Sequence, residues 1–556
     1  MRIKHAANRV VQFVFSKPNY TGLASGTIWF WFSLTPSLLP RPWIMQGAVT
    51  GISFAAGYGI GVWLSYAVRK VVRRELSKQF KHYAWITLGA IGLTGDIGVI
   101  ALSVQWQNEV RALVDEPPLE SGHRILMFII AALVAAALIL LGRFIYWLTL
   151  QTDRRLSRWI PRRYAGALAV IIVAAGLYLA VTGLAFRGFV ILANNMYRSA
   201  NNTTPAGISQ PASNPYHSGG KDSVISWASL GKQGRRFSGG GPSQQQLAQF
   251  SGQQPAEPIR IYAGLDSAPT AKDRAALALK ELRRTGAFNR AVLVIITPTG
   301  TGWVNPQTVD SLEYMWNGNT AMAAIQYSYL PSWISFTVDK DNATTAGREL
   351  FNQVYAYWSQ LPPDHRPKLI AHGLSLGSYG MQAAFSGEDD LKNRTNGAFF
   401  AGTPGDTLLW QDLEKNRDGG SPAWQPQYHK GQTIRFASIP SDLAQPPGAW
   451  NYPRVVYLQH ASDPVVWWSA DLLFKRPVWL SEARGRDVST SMHWFPLSTF
   501  LQVTVDQFVG VTAPDGHGHN YSTAPVEAWA AIIPPNGWTP VQTSRLHALI
   551  ATYTDL

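Results

Sequence analysis

The chain has 556 residues, of which 46% are hydrophobic, and it carries a formal net charge of +14 and no cysteine. This length exceeds one ordinary domain, and the lack of cysteine excludes disulfides, thiolate metal ligands and cysteine catalysis. Much of the positive excess lies in short loops beside apolar runs, where basic side chains meet anionic lipid. Nucleic-acid binding is therefore not expected.

Five apolar runs before residue 195 each approach the roughly 20 residues that cross a bilayer. They are Leu23–Leu39, Gln46–Val68, Tyr83–Val104, Ile125–Leu150 and Ala165–Phe186. Two prolines lie at the end of the first run, Pro36 within it and Pro40 directly after it. Asp96 lies inside the third run, where a carboxylate either has a functional role or hydrogen-bonds a neighbouring helix. Residues 1–195 are predicted to form a transmembrane helical domain.

Basic residues are concentrated before the first run, between the second and third, and between the fourth and fifth. They are Arg2, Lys4, Arg9, Lys17, Arg69, Lys70, Arg73, Arg74, Lys78, Lys81, Arg154, Arg155, Arg158, Arg162 and Arg163. By the positive-inside rule the N-terminus is cytoplasmic, and five spans place the C-terminal domain on the extracytoplasmic side. No small-residue cleavage site follows the first charged residues, so a removed signal peptide is not expected.

Residues 196–258 are rich in Gly, Ser, Gln, Asn and Pro and are predicted to be a linker. From Ile259 onward, short β-rich runs alternate with helical ones. The strand candidates are Ile259–Ala263, Ala291–Thr297, Met322–Tyr327, Lys368–His372, Gly397–Ala401 and Arg454–His460. This alternation predicts a mostly parallel, helix-covered sheet in residues 259–556. Phe495–Val511 fits either a helix or, at Leu501–Val505, a last strand.

The pentapeptide Gly373-Leu374-Ser375-Leu376-Gly377 follows one of these strands and precedes a helix-forming segment. It fits G-x-S-x-G, a tight strand-to-helix turn on which a serine hydroxyl is exposed as a nucleophile. Ser375 is the candidate nucleophile. The backbone N–H of Leu376 is one candidate donor to an oxyanion, and the second is expected from a loop after an earlier strand, at Thr299, Gly300 or Thr301.

A serine nucleophile of this kind needs an acid and then a histidine later in the chain. Asp463 follows the strand Arg454–His460 and is the candidate acid, although Ser462-Asp463-Pro464 also fits a simple turn. His519 is the candidate base, with His517 as the alternative. The His-x-His pair is not accompanied by a recognisable set of acidic or sulfur ligands, so no metal and no cofactor are expected.

Trp303, Trp467 and Trp468 lie beside the candidate catalytic loops. They are candidates for the wall of an acyl pocket. Core filling or membrane-interface anchoring is the alternative for tryptophans in such a chain.

Several longer strings, considered together, resemble a known family. They are Pro36–Trp43, Thr297–Trp303, Gly373–Gly377, Ser462–Trp468 and Gly516–His519. They are similar to bacterial membrane-anchored α/β hydrolases, in which an N-terminal multi-span membrane domain precedes a C-terminal α/β-hydrolase domain. The resemblance covers nearly the whole chain and implies a serine hydrolase fold in the cell envelope.

The sequence therefore predicts a serine esterase, lipase or acyltransferase in the bacterial inner membrane that acts through Ser375, Asp463 and His519. The expected partner is a membrane lipid or a lipid-linked acyl substrate, because a membrane tether favours substrates in the same bilayer. The second hypothesis is a catalytically silent hydrolase fold whose membrane domain transports or scaffolds. The oligomeric state is left open.

Overall fold

The computed structural model describes residues 18–72, 77–119, 122 and 124–553. Six of the basic residues used for orientation lie outside these residues: Arg2, Lys4, Arg9, Lys17, Arg73 and Arg74. The chain forms two compact units. The helical unit contains the described residues up to Leu192, with Ala470–Leu480 and Val488–Asp506. The sheet unit contains Ala193–Ser469, Ser481–Asp487 and the described residues from Gln507 onward.

The helical unit contains one short and several long helices, and its last helix continues past Leu192 into the sheet unit. These helices are Tyr20–Ser33, Trp43–Val72, Lys78–Leu113, Arg124–Leu156 and Arg162–Tyr178, the last continuing through the π-helical segment Leu179–Ala185 into Phe186–Asn201. Four stretches of the described chain are long and apolar enough to cross a membrane: Trp43–Val71, Lys81–Leu113, Arg124–Leu156 and Arg162–Asn201.

The first of the five predicted spans is not among these four. Its helix, Tyr20–Ser33, has only 14 residues, fewer than the roughly 20 that cross the hydrocarbon layer. The chain leaves the helix before Pro36, Pro40 and Pro42, which lack the N–H groups that would continue a helical ladder. The prediction of a span over Leu23–Leu39 is therefore corrected.

The short helix packs closely on Trp43–Val72 through small residues. A Cβ atom at Gly61 would lie 2.3 Å from the Thr21 carbonyl oxygen, and one at Gly57 would lie 2.4 Å from the Trp29 ring. Small residues of this kind let apolar helices approach each other. The indole N–H of Trp31 donates to Asp96 Oδ1 at 2.7 Å. A hydrogen bond between helices thus accounts for the carboxylate in the third apolar run.

The proline-rich segment after Tyr20–Ser33 surrounds a buried carboxylate, that of Asp506. Ser37 Oγ–H and the Leu38 N–H, the latter at 3.1 Å, donate to Asp506 Oδ2. Arg41 Nε lies 3.6 Å from Asp506 Oδ1, and both side chains are 0% exposed. Burial raises the pKa of Asp506 to about 6, although Arg41, Ser37 and the backbone donors oppose the increase. Asp506 lies on the helix Ser498–Gly510, so the ambiguous region Phe495–Val511 is helical there.

The sheet unit contains a seven-stranded parallel sheet. Its strands are β1 Ile259–Ala263, β2 Val292–Thr297, β3 Thr320–Ile325, β4 Lys368–Leu374, β5 Gly397–Ala401, β6 Ile434–Ala437 and β7 Arg454–Leu458. The order across the sheet is β1-β3-β2-β4-β5-β7-β6, and all neighbours are parallel. The predicted fold class is confirmed.

Helices precede, connect and follow the strands and cover the sheet. They are Gly231–Gly239, Gln244–Ser251, Ala271–Arg284, Pro306–Met315, Ser332–Val338, Lys340–Trp358, Leu376–Gln382, Glu388–Arg394, Leu408–Lys415, Pro464–Trp467, Pro525–Ile532 and Pro540–Ile550. The strands are almost completely buried, as expected when both faces of a parallel sheet are covered. Parallel strands end at one edge of a sheet, where functional residues collect in such folds.

Residues 196–258, predicted to be a linker, belong to the sheet unit instead. Leu230 and Leu247 are completely buried there. His217 Nδ1 bonds the Ser238 carbonyl at 2.6 Å, and the Ser218 N–H donates to the Arg260 carbonyl at 3.0 Å. The polar composition is misleading because hydrogen bonds and a few apolar anchors hold this segment, rather than a periodic apolar face.

Replacing Asp506 with Ala is expected to destabilise the detergent-solubilised protein by about 3–5 kcal/mol, because the buried Arg41 guanidinium loses its nearby carboxylate. Thermal unfolding measures the effect. The double variant Arg41→Met/Asp506→Leu is expected to recover most of the loss. Asp389→Ala is the control, since the Asp389 side chain is 89% exposed. Equal unfolding temperatures for Asp506→Ala and Asp389→Ala would contradict this account of the buried pair.

Candidate active site

Ser375 lies on a strained turn between β4 and the helix Leu376–Gln382. Its φ of 56° and ψ of −129° are unfavourable for a residue with a side chain and occur mainly where the surrounding structure enforces them. The Ser375 N–H donates to the Ala401 carbonyl at 2.9 Å, which ties the turn to the end of β5.

The two glycines of the pentapeptide are required by close backbone contacts. A Cβ atom at Gly373 would lie 2.4 Å from the Gly377 carbonyl oxygen, and one at Gly377 would lie 2.1 Å from the Thr297 carbonyl oxygen. Real Cβ atoms do not approach backbone atoms this closely. The sequence G-x-S-x-G is thus a packing requirement of a nucleophile elbow.

Asp463 and His519 form a buried pair. His519 Nδ1–H donates to Asp463 Oδ2 at 2.7 Å, and the Val465 N–H donates to Asp463 Oδ1 at 2.8 Å. The side chain of Asp463 is 0% exposed and that of His519 is 6% exposed. A carboxylate bonded at Nδ1 fixes the imidazole tautomer that leaves Nε2 as a proton acceptor. His519 Nε2 is buried and has no hydrogen-bond partner among the described residues.

Ser375 and His519 line the same cavity. The two are also connected through the end of β5. The Ala401 carbonyl accepts the Ser375 N–H, and a Cβ atom at the next residue, Gly402, would lie 2.4 Å from His519 Cε1. The structure therefore places Ser375 and His519 on one cavity and joins His519 to Asp463 by a hydrogen bond.

The other histidines have different surroundings. His517 Nδ1 lies 3.4 Å from Asp487 Oδ2 rather than beside Asp463. His372 donates to the Phe399 carbonyl, and burial lowers the pKa of His372 to about 4. Burial also lowers the pKa of His460, whose Nδ1 bonds the Gly518 carbonyl at 2.9 Å. His493 is exposed. Of the two candidate bases, His519 is bonded to Asp463 and His517 to Asp487.

Tyr521, Asp487 and Ser462 contact this site but were not singled out in the sequence. The Tyr521 hydroxyl donates to Asp463 Oδ2 at 2.7 Å. Ser462 Oγ donates to Asp487 Oδ2 at 2.5 Å and accepts the Gly518 N–H at 2.8 Å. Tyr521 lies two residues after His519, and this nearness was the one available signal. Asp487 lies far from both loops in the chain, so the sequence held no signal for it.

The candidate oxyanion donors differ in their availability. The Leu376 N–H is the first of its helix and so lacks an intrahelical acceptor. In the loop after β2, the Thr299 N–H donates to the Trp303 carbonyl at 2.9 Å and the Gly300 N–H to Ser332 Oγ at 3.2 Å. These bonds engage the N–H groups of Thr299 and Gly300 but not that of Thr301, which is therefore the candidate oxyanion donor of this loop. Thr299, Thr301 and Leu376 all line the cavity.

The cavity has a volume of about 990 Å³. Its lining includes five aromatic side chains: Trp303, Trp333, Phe336, Trp468 and Phe508. It also includes polar side chains: Gln233, Arg236, Gln246, Gln307 and Asp310.

Trp467, the third predicted pocket tryptophan, does not line this cavity. Its indole packs 6.1 Å from that of Trp410, and its N–H donates to the Ala461 carbonyl at 2.7 Å. Trp467 ends the one-turn helix Pro464–Trp467, which Trp468 follows in extended conformation. The two neighbouring tryptophans therefore have different environments, and the prediction is corrected for Trp467.

Comparisons with known proteins identify the two parts of the chain. Residues 259–546 match the family described as "Alpha/beta-hydrolase family", and residues 34–242 match "Alpha/beta-hydrolase family N-terminus". A search of curated proteins finds no match. A solved structure, the Trichoderma reesei cutinase in complex with a C11Y4 phosphonate inhibitor, is 14% identical with a TM-score of 0.19, covering 42% of this chain and 85% of that chain. That likeness is too weak to support an argument about function.

Proposed function

The chain belongs to the alpha/beta-hydrolase family, and from this premise we propose that it is a membrane-bound serine hydrolase that forms an acyl-enzyme on a lipid or lipid-linked ester. The main support is the buried His519, whose Nδ1 bonds Asp463 while its Nε2 has no partner among the described residues. Ser375, on its strained turn, lines the same cavity as His519.

In the proposed reaction, Ser375 Oγ attacks the ester carbonyl carbon while His519 Nε2 takes the hydroxyl proton. Asp463 keeps Nδ1 protonated and stabilises the imidazolium that forms. The Leu376 N–H and a donor from the loop Thr299 to Thr301 bind the oxyanion. His519 then protonates the departing alcohol, which leaves an acyl group on Ser375.

Water or a second alcohol completes the reaction. Activated by His519, it attacks the acyl-serine carbonyl, and the Ser375 hydroxyl is regenerated. Attack by water makes the protein an esterase or lipase, whereas attack by an alcohol makes it an acyltransferase. In the first case the product is a free acid, and in the second it is a new ester.

The cavity supports an acyl ester as the substrate class. Its volume of about 990 Å³ lies at the upper end of the usual ligand-pocket range, about 300–1,000 Å³. Its aromatic lining residues, which include Trp333, Phe336 and Phe508, suit an apolar acyl chain. Attachment to a bilayer would raise the local concentration of lipid substrates.

The expected hydrolysis is tested with p-nitrophenyl esters of increasing acyl length. Ser375→Ala and His519→Ala are each expected to lower kcat/KM by at least about a thousandfold, since residues of such a unit act together. His517→Ala is the matched control and should keep most of the activity, because His517 faces Asp487 rather than Asp463. Full activity of Ser375→Ala would contradict the proposal. An inactive wild type would favour the scaffold or transport role.

Charge in the described loops supports an extracytoplasmic sheet unit. Arg69 and Lys70 lie in the last turn of the first candidate span and Lys78 just after it, while Arg154 and Arg155 lie at the end of the third span and Arg158 just after it. The positive-inside rule assigns both loops to the cytoplasm of a bacterial inner membrane. With the four spans found among the described residues, the rule keeps the sheet unit extracytoplasmic. It also places residues 18–42 on the extracytoplasmic side, whereas five spans predicted a cytoplasmic N-terminus.

Single introduced cysteines test this topology, because the chain has no native cysteine. In intact cells or spheroplasts, a membrane-impermeant maleimide is expected to label Asp389→Cys, at a side chain that is 89% exposed. It should not label Trp159→Cys, at a residue that is 88% exposed, until the membrane is permeabilised. The reverse labelling pattern would contradict the orientation.

A further inference from the structure

Two hydrogen bonds to Asp463 end on the same carboxylate oxygen. Asp463 Oδ2 accepts the Nδ1–H of His519 at 2.7 Å and the O–H of Tyr521 at 2.7 Å. The other oxygen, Oδ1, accepts the Val465 N–H at 2.8 Å. The imidazole and the phenol therefore draw on the same negative charge, that of Oδ2.

The Tyr521 hydroxyl is oriented as a proton donor to Asp463. It accepts the backbone N–H of His460 at 3.2 Å and donates its own proton to Asp463. Burial, with the nearby Asp463 charge, raises the pKa of Tyr521 well above its ordinary value. The phenol thus remains a donor throughout the pH range in which a histidine titrates.

The Tyr521 ring packs against two histidine rings. It stacks on the His460 ring with a centroid distance of 4.2 Å and an interplanar angle of 13°. It also meets the His519 ring edge to face at 5.7 Å. Tyr521 is 3% exposed. A donor fixed in this way keeps its direction, so the bond to Asp463 does not depend on a mobile side chain.

We infer that Tyr521 is a positioning residue of this site, whose hydroxyl holds Asp463 in place and limits how strongly that carboxylate stabilises the protonated form of His519. The inference rests on the proposed serine-hydrolase function. A hydrogen bond to a carboxylate disperses its charge. Without the phenol, Asp463 interacts more strongly with the imidazolium, and His519 loses its proton only at higher pH.

The other titratable groups described around His519 do not replace the Tyr521 hydroxyl as a hydrogen-bond donor to Asp463. The titratable groups around His519, directly or through one neighbour, are Asp463, Tyr521, His460, His517 and Asp487. The hydroxyl of Ser462 and the imidazole of His517 bond Asp487 Oδ2 rather than Asp463. Removal of the Tyr521 hydroxyl therefore leaves Asp463 with only the His519 and Val465 donors among the described residues.

The test is the pH profile of kcat/KM for Tyr521→Phe with a p-nitrophenyl ester. The expected result is a loss of about tenfold at the optimum, mostly in kcat, since a bond to a charged group is lost. The acidic limb should move upward by about half to one pH unit. Active sites are counted by fluorophosphonate titration, so a smaller folded fraction does not count as a catalytic effect.

Tyr457→Phe is the matched control. Tyr457 is also completely buried, and its hydroxyl donates to Gln382 Oε1 at 2.9 Å. Its removal tests the loss of a buried tyrosine hydroxyl in the same unit, and the acidic limb is expected to stay in place. Equal pH profiles for wild type, Tyr521→Phe and Tyr457→Phe would overturn the inference, because a purely structural role moves no pKa.

A second variant keeps the test decisive if Tyr521→Phe does not fold. Incorporation of 3-fluorotyrosine at position 521 retains the hydroxyl and makes it a stronger donor. The acidic limb should then move downward, and an unmoved or upward-shifted limb would overturn the inference. A wild type without ester hydrolysis and without fluorophosphonate labelling contradicts the proposed function itself, which is a separate outcome.

Discussion

The candidate site depends on one buried carboxylate, that of Asp463. A carboxylate with 0% exposure is stable only when hydrogen-bond donors replace the water that it has lost. Its donors come from the turn that it begins, through Val465, and from the loop that carries His519 and Tyr521. The same bonds that compensate for burial also orient His519, so the stability of the site and its chemistry have one origin.

The second constraint is the crowded backbone around Ser375. The sheet places β4 between β2 and β5, and the residues at the end of β4 have no room for a Cβ atom at Gly373 or Gly377. Such crowding holds the serine in a conformation that an isolated chain would avoid. The Ser375 N–H bond to Ala401 and the closeness of Gly402 to His519 then connect the strained turn to the Asp463 pair through the end of one strand.

Much of this arrangement could be predicted because strong local patterns carry it. Strands such as Ile259–Ala263 and Gly397–Ala401 are short apolar runs between breakers, and their observed bounds equal the predicted ones. The pentapeptide around Ser375 matches a motif that follows a predicted strand, and the strand-end position of Asp463 followed from the alternation of strands and helices. The sequence offered His519 as the base with His517 as the alternative, and the hydrogen bond to Asp463 agrees with the first.

What could not be predicted depends on contacts between distant parts of the chain. Strand β6 has only four residues and contains Arg435, whose buried side chain bonds the Gly431 and Leu443 carbonyls. The supposed linker is held by bonds such as those of His217. The first predicted span ended at Leu39, yet Ser37, Leu38 and Arg41 surround Asp506, more than 460 residues later. Pairings of this kind have no local periodicity that a sequence pattern could reveal.

The most direct test of the central claim is the site of covalent attack by an acyl-serine probe. The purified, detergent-solubilised protein is treated with a fluorophosphonate, digested, and mapped by peptide mass spectrometry. The account predicts one adduct, on Ser375, that is lost when His519 is replaced by Ala and retained when His517 is replaced by Ala. An adduct on another serine, or labelling that is unaffected by His519→Ala, would contradict it.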